Sequence, residues 1–364
     1  MAIAGTRPEI IKLVPVMRAL EDEPVLRPSF CHSGQHADLG RDLLNIAGIT
    51  PDEMLERPSG EGVDRLLAGM IETIGAALDR HCPRAVIVQG DTATMLAGAM
   101  AAFHRRIPVA HVEAGLRSAD MTQPFPEEAY RRLVTPLARW HFAPTKAARN
   151  ALIGENIAKD SIKVVGNTVV DALHWACSRL DADPSLGAEA HRYIAAAGGH
   201  ALVLATVHRR EHDTSALKAI AYGLLSLAER RDVRIVLPLH PRAESAILRE
   251  LLADMPRIEL IPAVDYFTFL RLMRASRLVV SDSGGVQKAA TAMGRPVLVL
   301  RKVTERMEAV GAGAARLVGH DRDLIAAAAN EVLSQPMPEP SDVFGDGRAS
   351  ERIARTLRGD LYPR

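Results

Sequence analysis

The chain has 364 residues and a mass of 39.4 kDa, enough for two globular domains with a core each, and its 48% hydrophobic and 24% charged residues exclude wholesale disorder. Only 4% of residues are aromatic and the formal charge is +1, which argues against a protein that stacks single-stranded nucleic acid or attracts a polyanion by its overall field. Seven basic residues are lysine (Lys12, Lys146, Lys159, Lys163, Lys218, Lys288 and Lys302), and the rest are arginine. Cys31, Cys82 and Cys177 lie far apart with no CxxC pair, so neither a disulfide framework nor a thiolate metal site is indicated. With no long apolar run and no secretory pattern, the expected location is the cytoplasm.

Short apolar runs alternate with longer amphipathic stretches throughout, which predicts an α/β fold with buried parallel sheets. Predicted strands in the first half are Val25–Cys31, Ala85–Gln89, Pro108–Val112 and Trp140–Ala143. The second half has Ala201–Thr206, Arg234–Pro238, Ile258–Ile261, Leu278–Ser281 and Pro296–Leu300. Helices are predicted between them, among others over Glu9–Glu21, Gly62–Arg80, Thr92–His104, Glu127–Leu137, Ser215–Arg230, Asp265–Arg274, Gly285–Met293, Asp323–Leu333 and Ala349–Arg358. The polar, Ala/Gly-rich stretch Leu180–Gly199 is expected to separate the halves, and Pro336–Pro340 to precede the closing helix.

The unusual polar residues follow apolar strands. Asp91 ends VIVQGD, Glu113 follows VAHV, His208 to Glu211 follow VLATV, His240 ends IVLPLH, and Asp282 to Gly285 follow LVVS. Open α/β sheets bind ligands outside the carboxyl ends of their strands, so two such halves imply a cleft between them. Ser283, Gly284 and Gly285 offer a hydroxyl and backbone N–H groups at a helix start, suited to phosphate, although an ordinary cap has the same appearance. Arg301 and Arg306 are guanidinium groups suited to a diphosphate. In GTRPEIIK, Glu9 and Lys12 share a helix face, where an exposed ion pair is one reading; the segment lacks the spacing of a phosphate loop. Asp91, Glu113 and Glu127 supply carboxylates for proton transfer. The histidines His32, His36, His111, His208 and His240 lack metal-binding spacing, so no metal is expected.

The ordered series GTRPEIIK, SGQH, VQGDT, HVEAGLRS, PFPEE, HFAPT, VVGNTVVDAL, TVHRRE, DYFTF, SDSGG, TER and GDGRASERI resembles the non-hydrolysing UDP-N-acetylglucosamine 2-epimerases from about Gly5 to Leu357. The resemblance implies the two-domain GT-B architecture, with Rossmann-like domains over residues 1–170 and 171–345 and a closing helix within 346–364 that crosses back to the first domain. Domain closure would hinge near residues 168 to 175 and 345. It implies inversion at C2 of UDP-GlcNAc by elimination of UDP and re-addition, with UDP retained and without NAD or metal, in a homodimer. By motif match Asp91, Glu113 and Glu127 are the acid/base residues, with Lys12 and Arg7 beside them. His208 and Arg306 hold the diphosphate, Ser283, Gly284 and Gly285 form the phosphate loop, His240 joins the substrate-binding set, and Phe269 lies against the uracil.

The chain also departs from the family. Lys288 and Ala289 stand where two glutamates are usual, one of which grips the ribose; such a loss forfeits roughly 1.5–3 kcal/mol unless another group substitutes. Gly69 replaces an arginine of members activated by their own substrate, Asp38 follows SGQHA where an amide is common, Tyr130 replaces an asparagine, and the first strand is short. The departures leave open whether substrate activation survives. A hydrolysing 2-epimerase, which shares the elimination step but adds water at C1, is one alternative, and Lys288, Ala289 and Gly69 motivate another, a nucleotide-sugar binder without catalysis.

Overall fold

Alternation of β-branched strands with capped helices gives two α/β units in the computed structural model, which describes residues 1–36, 40–60, 62–118, 120–208, 212–239, 245–301 and 313–363. The first unit comprises Met1–His174 and Gly345–Arg364, and the second Trp175–Phe344.

The first unit is built on strands β1 (Ala2–Ala4), β2 (Phe30–His32), β3 (Glu53–Met54), β4 (Val86–Gln89), β5 (Val109–Val112), β6 (Ala138–Ala143) and β7 (Ile162–Val164). They form one parallel sheet in the order β3-β2-β1-β4-β5-β6-β7. The order reverses between β1 and β4, where loops leave in opposite directions and open a crevice. Its helices are α1 (Arg7–Glu21), α2 (Arg41–Ala47), α3 (Val63–His81), α4 (Ala93–His104), α5 (Glu127–Val134), α6 (Lys146–Gly154) and the first half of α7 (Thr168–Ala182). The expected strand Val25–Cys31 is shorter than its apolar pattern: Pro28 cannot donate to a ladder, Val25 is 47% exposed, and pairing begins only at Phe30.

In the second unit β8 (Ala201–Thr206), β9 (Val233–Leu239), β10 (Ile258–Pro262), β11 (Leu278–Ser281), β12 (Val297–Val299) and β13 (Ala315–Leu317) form a parallel sheet in the order β10-β9-β8-β11-β12-β13. Helices α8 (Ala190–Ala196), α9 (Thr214–Ala228), α10 (Ser245–Leu252), α11 (Tyr266–Ala275), α12 (Gly284–Ala292) and α13 (Arg322–Ser334) accompany it. Ile220, Leu224, Leu237, Val280 and Ile325 are fully buried in its core. The expected separator Leu180–Gly199 instead carries the end of α7 and all of α8, whose Ala190 and Tyr193 are buried.

The closing helix, α14 (Ala349–Leu361), belongs to the first unit and packs on α1. Its buried residues Ile353, Ala354 and Leu357 recur at helical spacing on one face. No described helix is long and apolar enough to cross a membrane.

Candidate functional site

In the first unit the reversal of strand order sets the loops after β1 and β4 side by side. Gly5 makes that approach physically feasible: a Cβ there would lie 1.9 Å from the Ser33 hydroxyl and 2.6 Å from that of Thr94. Thr6 caps α1 in a reciprocal capping box with Glu9. Glu9 is buried, and its Oε2 accepts the backbone N–H groups of Gly5 (3.1 Å) and Thr6 (2.9 Å) and the Thr6 hydroxyl (2.8 Å). Its Oε1 accepts the hydroxyl of Thr92, which caps α4. Burial outweighs these bonds and pushes the Glu9 carboxyl up to about 7. The exposed Glu9–Lys12 pair considered from the sequence does not form. One turn of helix carries Lys12 past Glu9 to a different acid.

That acid is Glu113, the residue directly after β5, held at a positive φ of 68° and only 6% exposed. Its Oε2 accepts from the Lys12 ammonium and from the Gln89 amide at 2.6 Å, and its Oε1 from the Asn167 amide at 2.8 Å. Convergence of a cation and two amides on both oxygens suits an acceptor-only carboxylate and fixes its direction. Asp91, after β4, pairs with Arg131 at 2.7 Å, and Arg131 also binds the fully buried Glu128 at 2.7 Å. Glu127 opens α5 beside Glu128, and its Oε2 is buried without a hydrogen-bond partner among the described residues. Arg7 is the half-buried first residue of α1. Between these acids, buried His111 donates from Nε2 to the Gly90 carbonyl at 2.8 Å, and burial lowers its pKa to about 4, so it stays neutral and shapes the turn before Asp91.

The corresponding edge of the second unit lies after β8 and β11. Ser283 is the N-cap of α12 but makes no side-chain cap bond, and Gly284 and Gly285 form its first turn. Three consecutive backbone N–H groups at such a helix start are suited to an anion. Asp282, fully buried, accepts the His208 backbone N–H at 2.8 Å and lies 3.1 Å from His208 Nδ1. Phe269 is half-buried in α11, whose N-cap Asp265 binds two N–H groups of the first turn. Lys288 and Ala289, in place of the family's glutamates, are 3% and 8% exposed, and the neighbouring Gln287 is buried with its Nε2 unpaired among the described residues. Arg301 is half-buried after β12. His240, Arg306 and Asp38 lie outside the described residues.

Gln89, Asn167 and Arg131 were not singled out from the sequence, although each sits in a motif quoted above or one helical turn from Glu127, whereas Glu9 and Asp282 were noted there without a role of their own. Among the described residues no three His, Cys, Asp or Glu side chains are grouped to hold a metal ion.

The profile of a family described as UDP-N-acetylglucosamine 2-epimerase matches residues 18–358. The chain is 38% identical over 368 residues to the UDP-N-acetylglucosamine 2-epimerase of Salmonella typhimurium strain LT2, covering 98% of each. It is similar in structure to the UDP-GlcNAc 2-epimerase of Neisseria meningitidis bound to UDP-GlcNAc, with a TM-score of 0.90, 34% identity and 98% of each chain covered. The Methanocaldococcus jannaschii enzyme in complex with UDP-GlcNAc and UDP gives a TM-score of 0.85, with 34% identity and 98% of each chain covered.

Proposed function

The chain belongs to the UDP-N-acetylglucosamine 2-epimerase family and is an epimerase of the non-hydrolysing type acting on that nucleotide sugar, and from this premise we propose how its residues divide the reaction. The C2 proton is weakly acidic, whereas UDP at C1 is a good leaving group. A carboxylate of the first unit takes the C2 proton while the C1–O bond breaks and its electron pair leaves on the diphosphate, giving a 2-acetamidoglucal and UDP. UDP then re-forms the C1–O bond and a proton is delivered to the other face of C2, giving UDP-N-acetylmannosamine. Asp91, Glu113 and Glu127 carry these proton transfers, with Lys12 holding Glu113 and Arg7 beside them.

The observation that carries this reading is the fixation of Glu113 by Lys12, Gln89 and Asn167, because a base must hold its direction while the proton moves. The unpaired buried oxygen of Glu127 supports it: an acceptor left without a donor costs about 1–3 kcal/mol, which a substrate donor relieves. In the second unit Ser283, Gly284 and Gly285 receive the diphosphate, with His208 and, by motif, His240 and Arg306; Phe269 lies against the uracil. UDP is retained through the cycle and no other cofactor or metal enters the scheme. We place the enzyme in the cytoplasm as a homodimer, which cell fractionation and sedimentation test.

Turnover of UDP-GlcNAc in D2O is the decisive experiment. Deuterium should appear at C2 of both sugars, with UDP and the glucal detectable as minor species. Release of free N-acetylmannosamine would instead indicate hydrolysis, and retention of the C2 proton under saturating enzyme would overturn the scheme.

A further inference from the structure

The scheme uses Asn167 as one of three donors to Glu113 but gives no task to its place in the chain. The chain leaves the first unit within α7, between His174 and Trp175, and returns between Phe344 and Gly345. Asn167 is the residue before α7 and is 2% exposed. Its Oδ1 accepts the Val169 N–H of the first helical turn at 3.0 Å, as a capping side chain does. A backbone N–H can only donate, so the opposite end of the amide is the NH2 group, and that group donates to Glu113 Oε1 at 2.8 Å. One short, buried side chain is thus held at both ends, by the helix start and by the carboxylate.

The returning segment is bound to the same stretch. Gly345 has a φ of 128°, and a Cβ on it would lie 3.1 Å from the Asn167 backbone nitrogen and 3.1 Å from Gly166 Cα. Asp171 Oδ1 accepts the Ser350 N–H at 2.7 Å, and Arg352 donates to the Val165 carbonyl at 2.9 Å. Residues 165–171 therefore open the outgoing helix and anchor the returning chain, and Asn167 lies among them.

We propose that Asn167 is a positioning residue that ties the direction of the Glu113 carboxylate to the junction where the chain leaves and re-enters the first unit. A bend at either crossing displaces the first turn of α7, and the amide passes that displacement to Glu113 Oε1. Misplacing a reacting group by about 1 Å costs on the order of 100-fold in rate, so a shift of that size separates a productive from an unproductive carboxylate. The proposal rests on the proton-transfer role given to Glu113 above.

Two variants cut the link in different ways. Asn167→Ser keeps a capping oxygen for α7 but is too short to reach Glu113, and Asn167→Asp keeps the acceptor and loses the donor. Both should lower kcat about 10- to 100-fold with KM for UDP-GlcNAc within about threefold. Both should also raise the primary isotope effect on kcat with substrate deuterated at C2, which a general loss of stability does not do. Asp171→Ala and Gly345→Ala disturb the returning segment without touching Glu113. Either should lower kcat about 2- to 10-fold alone and by a smaller factor in the Asn167→Ser background, where the link is already cut. A folded Asn167→Ser with wild-type kcat and isotope effect overturns the proposal, as do junction variants with wild-type kcat or with an effect equally large in both backgrounds. Should Glu113→Gln itself retain full deuterium exchange at C2, the failure lies in the role assigned to Glu113, and the positioning role of Asn167 falls with it.

Discussion

Glu9 is a carboxyl group whose ionisation the fold opposes. Burial lifts its carboxyl to about 7 although four groups donate to it, because those donors do not replace the water it has lost. The folded chain therefore holds this proton more tightly than the unfolded chain, whose carboxyl has the ordinary value of 4.5. The resulting stabilisation is complete below about pH 4.5 and is lost as pH rises through about 7. Glu9→Gln keeps an acceptor for the loop and removes the titration. Between pH 5 and pH 8 its unfolding free energy should gain about 1–3 kcal/mol on that of wild type in urea denaturation; a difference independent of pH would refute this. The sequence made Asp91, Glu113 and His208 visible because unusual polar residues soon after apolar strands stand out, and Lys12 and Glu127 visible through the motifs GTRPEIIK and PFPEE at helix starts. It did not show who pairs with whom: Lys12 reaches Glu113 rather than Glu9, and Glu113 draws its amides from the end of β4 and from the connection before α7. Such partners are set by strand order, which no local pattern encodes.

At the scale of elements, helix α14 shows how a helix without a good cap is completed from elsewhere. Its N-cap is Arg348, which provides no capping acceptor, and the Ser350 N–H in its first turn is bound at 2.7 Å by Asp171 of α7. Burial raises the Asp171 pKa, so this acceptor is retained against a desolvation cost. Asp171→Ala should cost about 1–2 kcal/mol and speed hydrogen exchange selectively over residues 349–361, measured by mass spectrometry. Exchange unchanged in that helix would show that its packing on α1 suffices. Long elements with clear caps or periodicity, such as α1, α4, α9 and α11, were legible in the sequence. The two- and three-residue strands β3, β7 and β13 were not, because so short a segment becomes a strand only when a neighbour supplies its ladder. Helix α8 was hidden by the glycines and Asp183-Pro184 that bracket it.

For the molecule as a whole, each sheet reverses its strand order once, at β1/β4 and at β8/β11, and Arg7, Asp91, His208 and Ser283 follow the strands at those reversals. The kinetic behaviour also follows from a departure noted in the sequence. A Cβ on Gly69 would meet Pro58 at 2.5 and 2.9 Å, so α3 lies hard against the 58–60 segment where the substrate-activated relatives carry arginine. Initial rates should accordingly rise hyperbolically with UDP-GlcNAc; a sigmoidal curve would show that activation persists by another route.

Residues 345–364 complete a unit begun by residues 1–174, with the second unit encoded as one uninterrupted stretch between them. Synthesis therefore proceeds out of step with assembly: the second unit can fold as soon as it emerges from the ribosome, whereas the carboxylate-bearing unit waits for α14 to cover α1. The half of the enzyme made first is the half finished last, and its unfinished apolar helix face is the surface a chaperone would meet on the nascent chain.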